Sequence, residues 1–239
     1  MKMPDFELPE SVDMVIGDDG HSVASLLAEK VARVLDERLQ NPGRASLAVS
    51  GGRTPVAFLE LLSCKPIDWS RVDVVLVDER CVDEAAPDSN TRLIKQYLLR
   101  GAAAEARYIP LWRDGVSVSE GCREAERALD LIEWPLTVLV LGMGNDGHTA
   151  SLFPDAPELF EALDSRKPAR VLALAPPSQS QVRLSLTLRA LGGARFKALH
   201  LKGADKLETL RQACEHLDDV AEMPVRVFLK MGLVVFWSA

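Results

Sequence analysis

The chain has 239 residues, 47% hydrophobic and 26% charged, with 35 acidic side chains against 28 Lys and Arg and a formal net charge of -7. That length accommodates a full core in one α/β domain, and the acidic balance argues against non-specific binding to nucleic acid or to anionic membrane surfaces. No apolar run approaches the roughly 20 residues of a membrane helix, and the start MKMPDFELPE lacks the basic and apolar regions of a signal peptide, so a cytoplasmic protein is expected.

Alternation over SVDMVIGD (Ser11 to Asp18) predicts a first strand, after which Val23, Leu26, Leu27, Val31, Val34, Leu35 and Leu39 recur at helical spacing until NPGR stops them. ASLAV reads as a short buried strand running into Ser50-Gly51-Gly52-Arg53-Thr54, with Thr54 as N-cap and Pro55 as first residue of a helix in PVAFLELL. RVDVVLVDER (Arg71 to Arg80) is a β-branched run ending in three charges, and a loop through Pro87 and Asp88 leads to a helix near NTRLIKQYLL. SEGCREAERALDLIEW has a helical period and PLTVLVLG reads as another buried strand. RVLALA, FKALHLKG, VRVFL and LVVFWS are further predicted strands, and DKLETLRQACEHL a helix.

Short apolar strands alternating with helices predict an α/β fold: a three-layer αβα, Rossmann-like arrangement, with a mostly parallel sheet and helices on both faces. No repeat, low-complexity tract or linker divides the sequence, so residues 1–239 are expected to form a single domain. Such sheets bind ligands beyond the carboxyl ends of their strands. The segments at those places are Ser50 to Thr54, Asp78-Glu79-Arg80, Gly142 to His148, and Gly203 to Lys206.

Gly142-Met143-Gly144-Asn145-Asp146-Gly147 spells the G-x-G-x-x-G string of dinucleotide-binding folds. The rest of that fingerprint is missing: Pro154 and Pro157 interrupt the helix that should follow, and RVLALAPP ends without the acidic residue that would hold a ribose. The other reading is a catalytic turn, in which glycines permit close approach of backbone to ligand while Asp146 and His148 supply a carboxylate and a group titrating near neutral pH. His200, amid the apolar alternation of KALHLKG, reads instead as structural, and His21 and His216 as helix-surface residues.

Ser50-Gly51-Gly52-Arg53-Thr54 is not a Walker A loop, yet consecutive glycine N–H groups before a helix form an anion nest; taken alone, an ordinary tight turn explains it equally well. Asp78-Glu79-Arg80 is either a solvated strand end or part of the ligand edge. Arg183 and Lys206 gain meaning only if they converge there, and a net-negative protein taking an anionic substrate needs such a local cluster of cations. Cys64, Cys81, Cys122 and Cys214 lack metal-ligand spacing, so no metal site is expected.

SGGRTP, VDER, GMGNDGHTASLFP, QVRLSLT and GADK, in this order and at these separations, resemble the 6-phosphogluconolactonase family. Its superfamily also includes glucosamine-6-phosphate isomerase/deaminase, but Phe153 and Arg80 stand where that relative carries an acidic and an aromatic residue. Asn145 departs from the proline or aspartate more usual in the lactonase loop, a change the turn tolerates. The resemblance implies metal-free, cofactor-free hydrolysis of 6-phospho-D-glucono-1,5-lactone to 6-phosphogluconate in the oxidative pentose phosphate pathway, with His148 as general base. Asp146 or Asp78 would orient the imidazole, and Arg80 or N–H groups of the glycine loop around Gly144 would receive the developing oxyanion. Ser50, Gly51, Gly52, Arg53 and Thr54 would hold the phosphate with Arg183 and Lys206. A monomer or weak homo-oligomer is expected, with a small phosphorylated sugar lactone as partner and neither nucleic acid nor membrane.

Overall fold

The computed structural model describes residues 6–239. In chain order its strands are β1 (Val12–Ile16), β2 (Ala45–Val49), β3 (Val72–Leu76), β4 (Asp78–Arg80), β5 (Arg107–Ile109), β6 (Val138–Leu141), β7 (Val171–Leu174), β8 (Arg183–Leu186), β9 (Phe196–Lys202) and β10 (Leu233–Ser238). The helices are α1 (Gly20–Leu39), α2 (Val56–Ser63), α3 (Asn90–Tyr97), α4 (Val118–Ala128), α5 (Leu159–Leu163), α6 (Leu188–Leu191), α7 (Ala204–Glu215) and α8 (Arg226–Leu229).

Seven strands form one sheet in the order β1-β10-β9-β6-β2-β3-β5, with every pairing parallel. Its centre explains the continuous apolar runs of the sequence. Every residue of β2, β3 and β6 is buried, as expected of parallel strands covered on both faces. Helix α1 packs on α2 and on β10. It starts at Asp19, whose carboxylate accepts the Ser22 N–H at 2.7 Å, and buries Val23, Leu27, Val31, Leu35 and Leu39 as the periodicity predicts. Leu26 falls outside that stripe and is 41% exposed.

A second, three-stranded antiparallel sheet, β4-β8-β7, was not expected. Arg71 to Arg80 is accordingly not one strand. It breaks at Val77, whose N–H donates to Val49 O in the large sheet at 3.0 Å, while its carbonyl accepts the Leu186 N–H of the small sheet at 2.8 Å. RVLALA lies in the small sheet rather than in the parallel one; β5 has only three residues, and in β8 Arg183 and Ser185 interrupt the apolar run, so neither stands out in the sequence.

Two further expectations are corrected. VRVFL is helix α8, not a strand, despite its β-branched composition. Its Arg226 is buried and donates to Gln212 O and Ala213 O near the end of α7, to Asp219 O in the loop beyond it and to Glu222, so tertiary contacts override local propensity. Thr54 does not cap α2: Pro55 takes the cap position in helical conformation, and no side chain bonds to the first turn.

Candidate active site

A cleft of about 310 Å³ opens beyond the carboxyl ends of β2, β6 and β9. Ser50 to Thr54, Asp78, Arg80, Gly144, His148, Arg183 and Lys206 all line it, so residues spread along the sequence meet on one surface. Asp146 is absent from the lining and instead contacts His148.

The turn after β6 holds His148 tightly. Asp146 Oδ1 lies 2.6 Å from His148 Nδ1 and accepts the same residue's backbone N–H at 3.2 Å. The His148 ring stacks on Phe153 with centroids 3.9 Å apart and planes at 22°. Gly144 donates its N–H to His148 O at 2.9 Å, and Thr149 Oγ1 donates to Gly142 O at 2.7 Å. A Cβ on Gly144 would fall 2.2 Å from His148 Nδ1, so glycine is required for the imidazole to lie over this backbone. Gly147 has a φ of 76°, and its carbonyl accepts the Val225 N–H at 2.9 Å, which ties the turn to α8.

A carboxylate on Nδ1 favours the tautomer with the proton there and the lone pair at Nε2. Partial burial acts to raise the Asp146 pKa, but the hydrogen bond and charge of His148, with the backbone N–H, outweigh it and hold the carboxyl below its ordinary value. Asp78 is engaged elsewhere. It is buried, accepts Ser151 Oγ at 2.5 Å, and lies 3.8 Å from Arg183 Nη1. Of the two carboxylates left open by the sequence, Asp146 is the one in contact with the imidazole.

The small antiparallel sheet gathers the cations. Arg80 and Arg183 are direct cross-strand partners in the β4–β8 ladder. Like charges directly opposite one another are unfavourable, unless an anion lies between or beside them. Among the described residues the Nε atoms of both arginines are buried without a partner, although Arg80 donates to Asp88 O and Arg183 Nη2 donates to Gln179 Oε1 at 2.8 Å. Desolvation lowers the Arg183 pKa, opposed by Asp78 and reinforced by Arg80. Its guanidinium also sits 5.2 Å above the Phe153 ring.

Across the cleft, the backbone N–H groups of Gly51, Gly52, Arg53 and Thr54 have no hydrogen-bond partner among the described residues, and Gly52 has a φ of 93°. This arrangement suits an anion. Arg53 and Thr54 are exposed, and Lys206 Nζ donates to Asn145 Oδ1. Ser50 is occupied structurally: its hydroxyl accepts the Gly142 N–H at 3.0 Å and donates to Val140 O at 3.3 Å, joining the first loop to the third.

The place of three residues at the site was not legible in the sequence. Asn90 lines the cleft, and its Oδ1 would overlap a Cβ on Gly51 at 1.9 Å. Its position follows from Glu79, which is buried and accepts the N–H groups of Asn90 at 2.9 Å and Thr91 at 2.6 Å. Strand alternation was the available signal, since Asp78 and Arg80 must share one side and Glu79 face the other. The third is His200, read as structural, which is buried yet lines the cleft.

A parallel-sheet α/β fold with a histidine–carboxylate pair and clustered cations at its strand ends defines a class of small-anion sites. Comparison with known proteins narrows it. The profile of the family described as glucosamine-6-phosphate isomerases/6-phosphogluconolactonase matches residues 17–237, and the chain belongs to this family. It is 44% identical over 237 residues to a 6-phosphogluconolactonase of Pseudomonas aeruginosa, covering 99% of both chains. A 6-phosphogluconolactonase of Pseudomonas putida is 42% identical, with coverage of 99% of this chain and 97% of the other. The crystal structure of a 6-phosphogluconolactonase from Shewanella baltica superposes with a TM-score of 0.92 at 39% identity, over 98% of this chain and 100% of that one.

Proposed function

We propose that this chain is a 6-phosphogluconolactonase, hydrolysing 6-phospho-D-glucono-1,5-lactone to 6-phosphogluconate in the oxidative pentose phosphate pathway. The full-length similarity to lactonases of that name supports the activity. The observation that carries the site assignment is that the Asp146–His148 pair and the opposed arginines Arg80 and Arg183 meet on one cleft.

In this reading the phosphate is seated by the free N–H groups of Gly51 to Thr54 with Arg53, Arg183 and Lys206, which fixes the ring for attack. His148 Nε2 takes a proton from water as the oxygen adds to C1. Asp146 stabilises the imidazolium through Nδ1. The negative charge developing on the carbonyl oxygen is met by Arg80 or by N–H groups of the Gly144 turn. His148 then returns the proton to the ring oxygen as the C1–O bond opens. The lactone is already an activated ester, so the chemistry asks for no metal and no covalent intermediate. Asp78 acts on Arg183 and Ser151 rather than on the base. We further propose that residues 1–239 work as one cytoplasmic catalytic domain.

The test is a rapid-mixing assay in which freshly generated lactone is hydrolysed with and without the protein. Acceleration well above the spontaneous rate, with no ammonia released from glucosamine 6-phosphate, is expected. A rate equal to the spontaneous one would overturn the proposal.

A further inference from the structure

The cleft holds a second imidazole that the mechanism above does not use. His200 sits on β9 with 4% of its surface exposed and packs edge-on against Phe58 of α2, with centroids 6.2 Å apart and planes at 77°. Its Nδ1 is sealed from solvent and has no hydrogen-bond partner among the described residues. A buried polar atom left unpaired is unfavourable, and a phenylalanine in the same place would fill space without that penalty.

Its surroundings point to what it is for. Burial pushes the His200 pKa down to about 4, so the ring is neutral at working pH and offers one donor and one acceptor. Nε2 is not among the sealed atoms and has no hydrogen-bond partner among the described residues, so the tautomer protonated there presents a donor to the cleft. Lys202 follows two residues on, hence on the same side of β9, and also lines the cleft. Phe58 belongs to the first turn of α2, directly after the loop whose N–H groups are free. The imidazole therefore lies at the anion end of the cleft, beneath the helix start.

We propose that His200 is a ligand-contacting residue that donates a hydrogen bond from Nε2 to an oxygen of the bound phosphoryl group, and so contributes to selecting phosphorylated over unphosphorylated lactones. Only the identity of the full substrate rests on the lactonase reading; the contact itself is to phosphate.

Calorimetric titration of inorganic phosphate and of 6-phosphogluconate into wild type, His200→Phe and His200→Gln tests this. His200→Phe is expected to weaken both ligands about tenfold, the loss of one hydrogen bond to a charged group, and His200→Gln to recover most of it. KM for the lactone rises in parallel while kcat stays within about threefold. Unchanged affinities in a folded His200→Phe would overturn the proposal, and so would a loss for 6-phosphogluconate with none for inorganic phosphate, which would put the ring against the sugar. A variant-free check is the 15N shift of the wild-type His200 imidazole on phosphate titration. No perturbation there refutes the contact even if the variants fail to fold. A wild type that binds phosphate through His200 without hydrolysing the lactone would refute the lactonase reading alone.

Discussion

One oxygen of Asp146 holds His148 twice, at 2.6 Å from the ring Nδ1 and 3.2 Å from the backbone nitrogen. Ring and turn are fixed by the same carboxylate, two residues away. His148→Ala is expected to lower kcat by roughly 10²- to 10⁴-fold with little change in KM, the usual scale for loss of a general base. Asp146→Asn, which can present its amide to Nδ1 and so favour the wrong tautomer, is expected to fall between that variant and wild type. Initial rates corrected for spontaneous hydrolysis check both.

Gly144→Ala probes the same turn from below. Its Cβ would meet His148 Nδ1 at 2.2 Å and Asp146 Oδ1 at 2.4 Å, so the pair must move. Catalysis is sensitive to displacements of about 1 Å, and a loss on the order of 10²-fold in kcat is expected with the far-UV spectrum unchanged. Retention of wild-type rate would show that the pair is not held where it reacts.

The two sides of the anion end separate in a comparison of Arg53→Ala with Arg183→Ala. Both are expected to raise KM at least about tenfold, by the loss of a charge-assisted contact. Arg53 is exposed and its side chain has no hydrogen bond or ion pair among the described residues, so its truncation is expected to leave the melting temperature unchanged. Arg183 is 8% exposed and faces the buried Asp78 at 3.8 Å, and its removal strands that carboxylate. A fall in Tm of about 2–8 °C follows from a loss of roughly 1–2 kcal/mol. Thermal melts alongside steady-state kinetics distinguish the two.

His200 also predicts a pH dependence of stability. Its pKa is lowered by burial from 6.5 to about 4, so between these values the unfolded chain binds a proton that the folded chain does not. Stability therefore falls as pH drops through this window, by a total on the order of 3 kcal/mol from this group. Denaturant melts at pH 7 and at pH 4.5 should show a smaller decline for His200→Phe than for wild type. Equal declines would remove His200 from the account.

The legible and illegible parts of this molecule divide by the range of the interactions involved. The runs ASLAV and TVLVL announced buried strands because both faces are covered, and the glycine-rich turn after the second marked Asp146 and His148 as candidates. The choice between Asp146 and Asp78 needed the path of the chain through Val77, which carries no local signal. The opposition of Arg80 and Arg183 is a fact of strand pairing between distant segments, and each arginine looks ordinary alone. His200 is buried as its apolar alternation predicts, but that alternation does not say that the carboxyl end of its strand floors a cleft. VRVFL failed for the opposite reason: its composition is β-like, but the acceptors waiting for Arg226 exist only after α7 has formed.

Val77 is the hinge point between the two sheets. The N–H of Val77 bonds to Val49 and its carbonyl to Leu186, so the large sheet, whose β6 leads into the His148 turn, and the sheet carrying Arg80 and Arg183 are indexed to each other through backbone. The turn that presents His148 and the ladder that opposes Arg80 to Arg183 therefore share one backbone reference, and a shift of either sheet at Val77 would be felt by both.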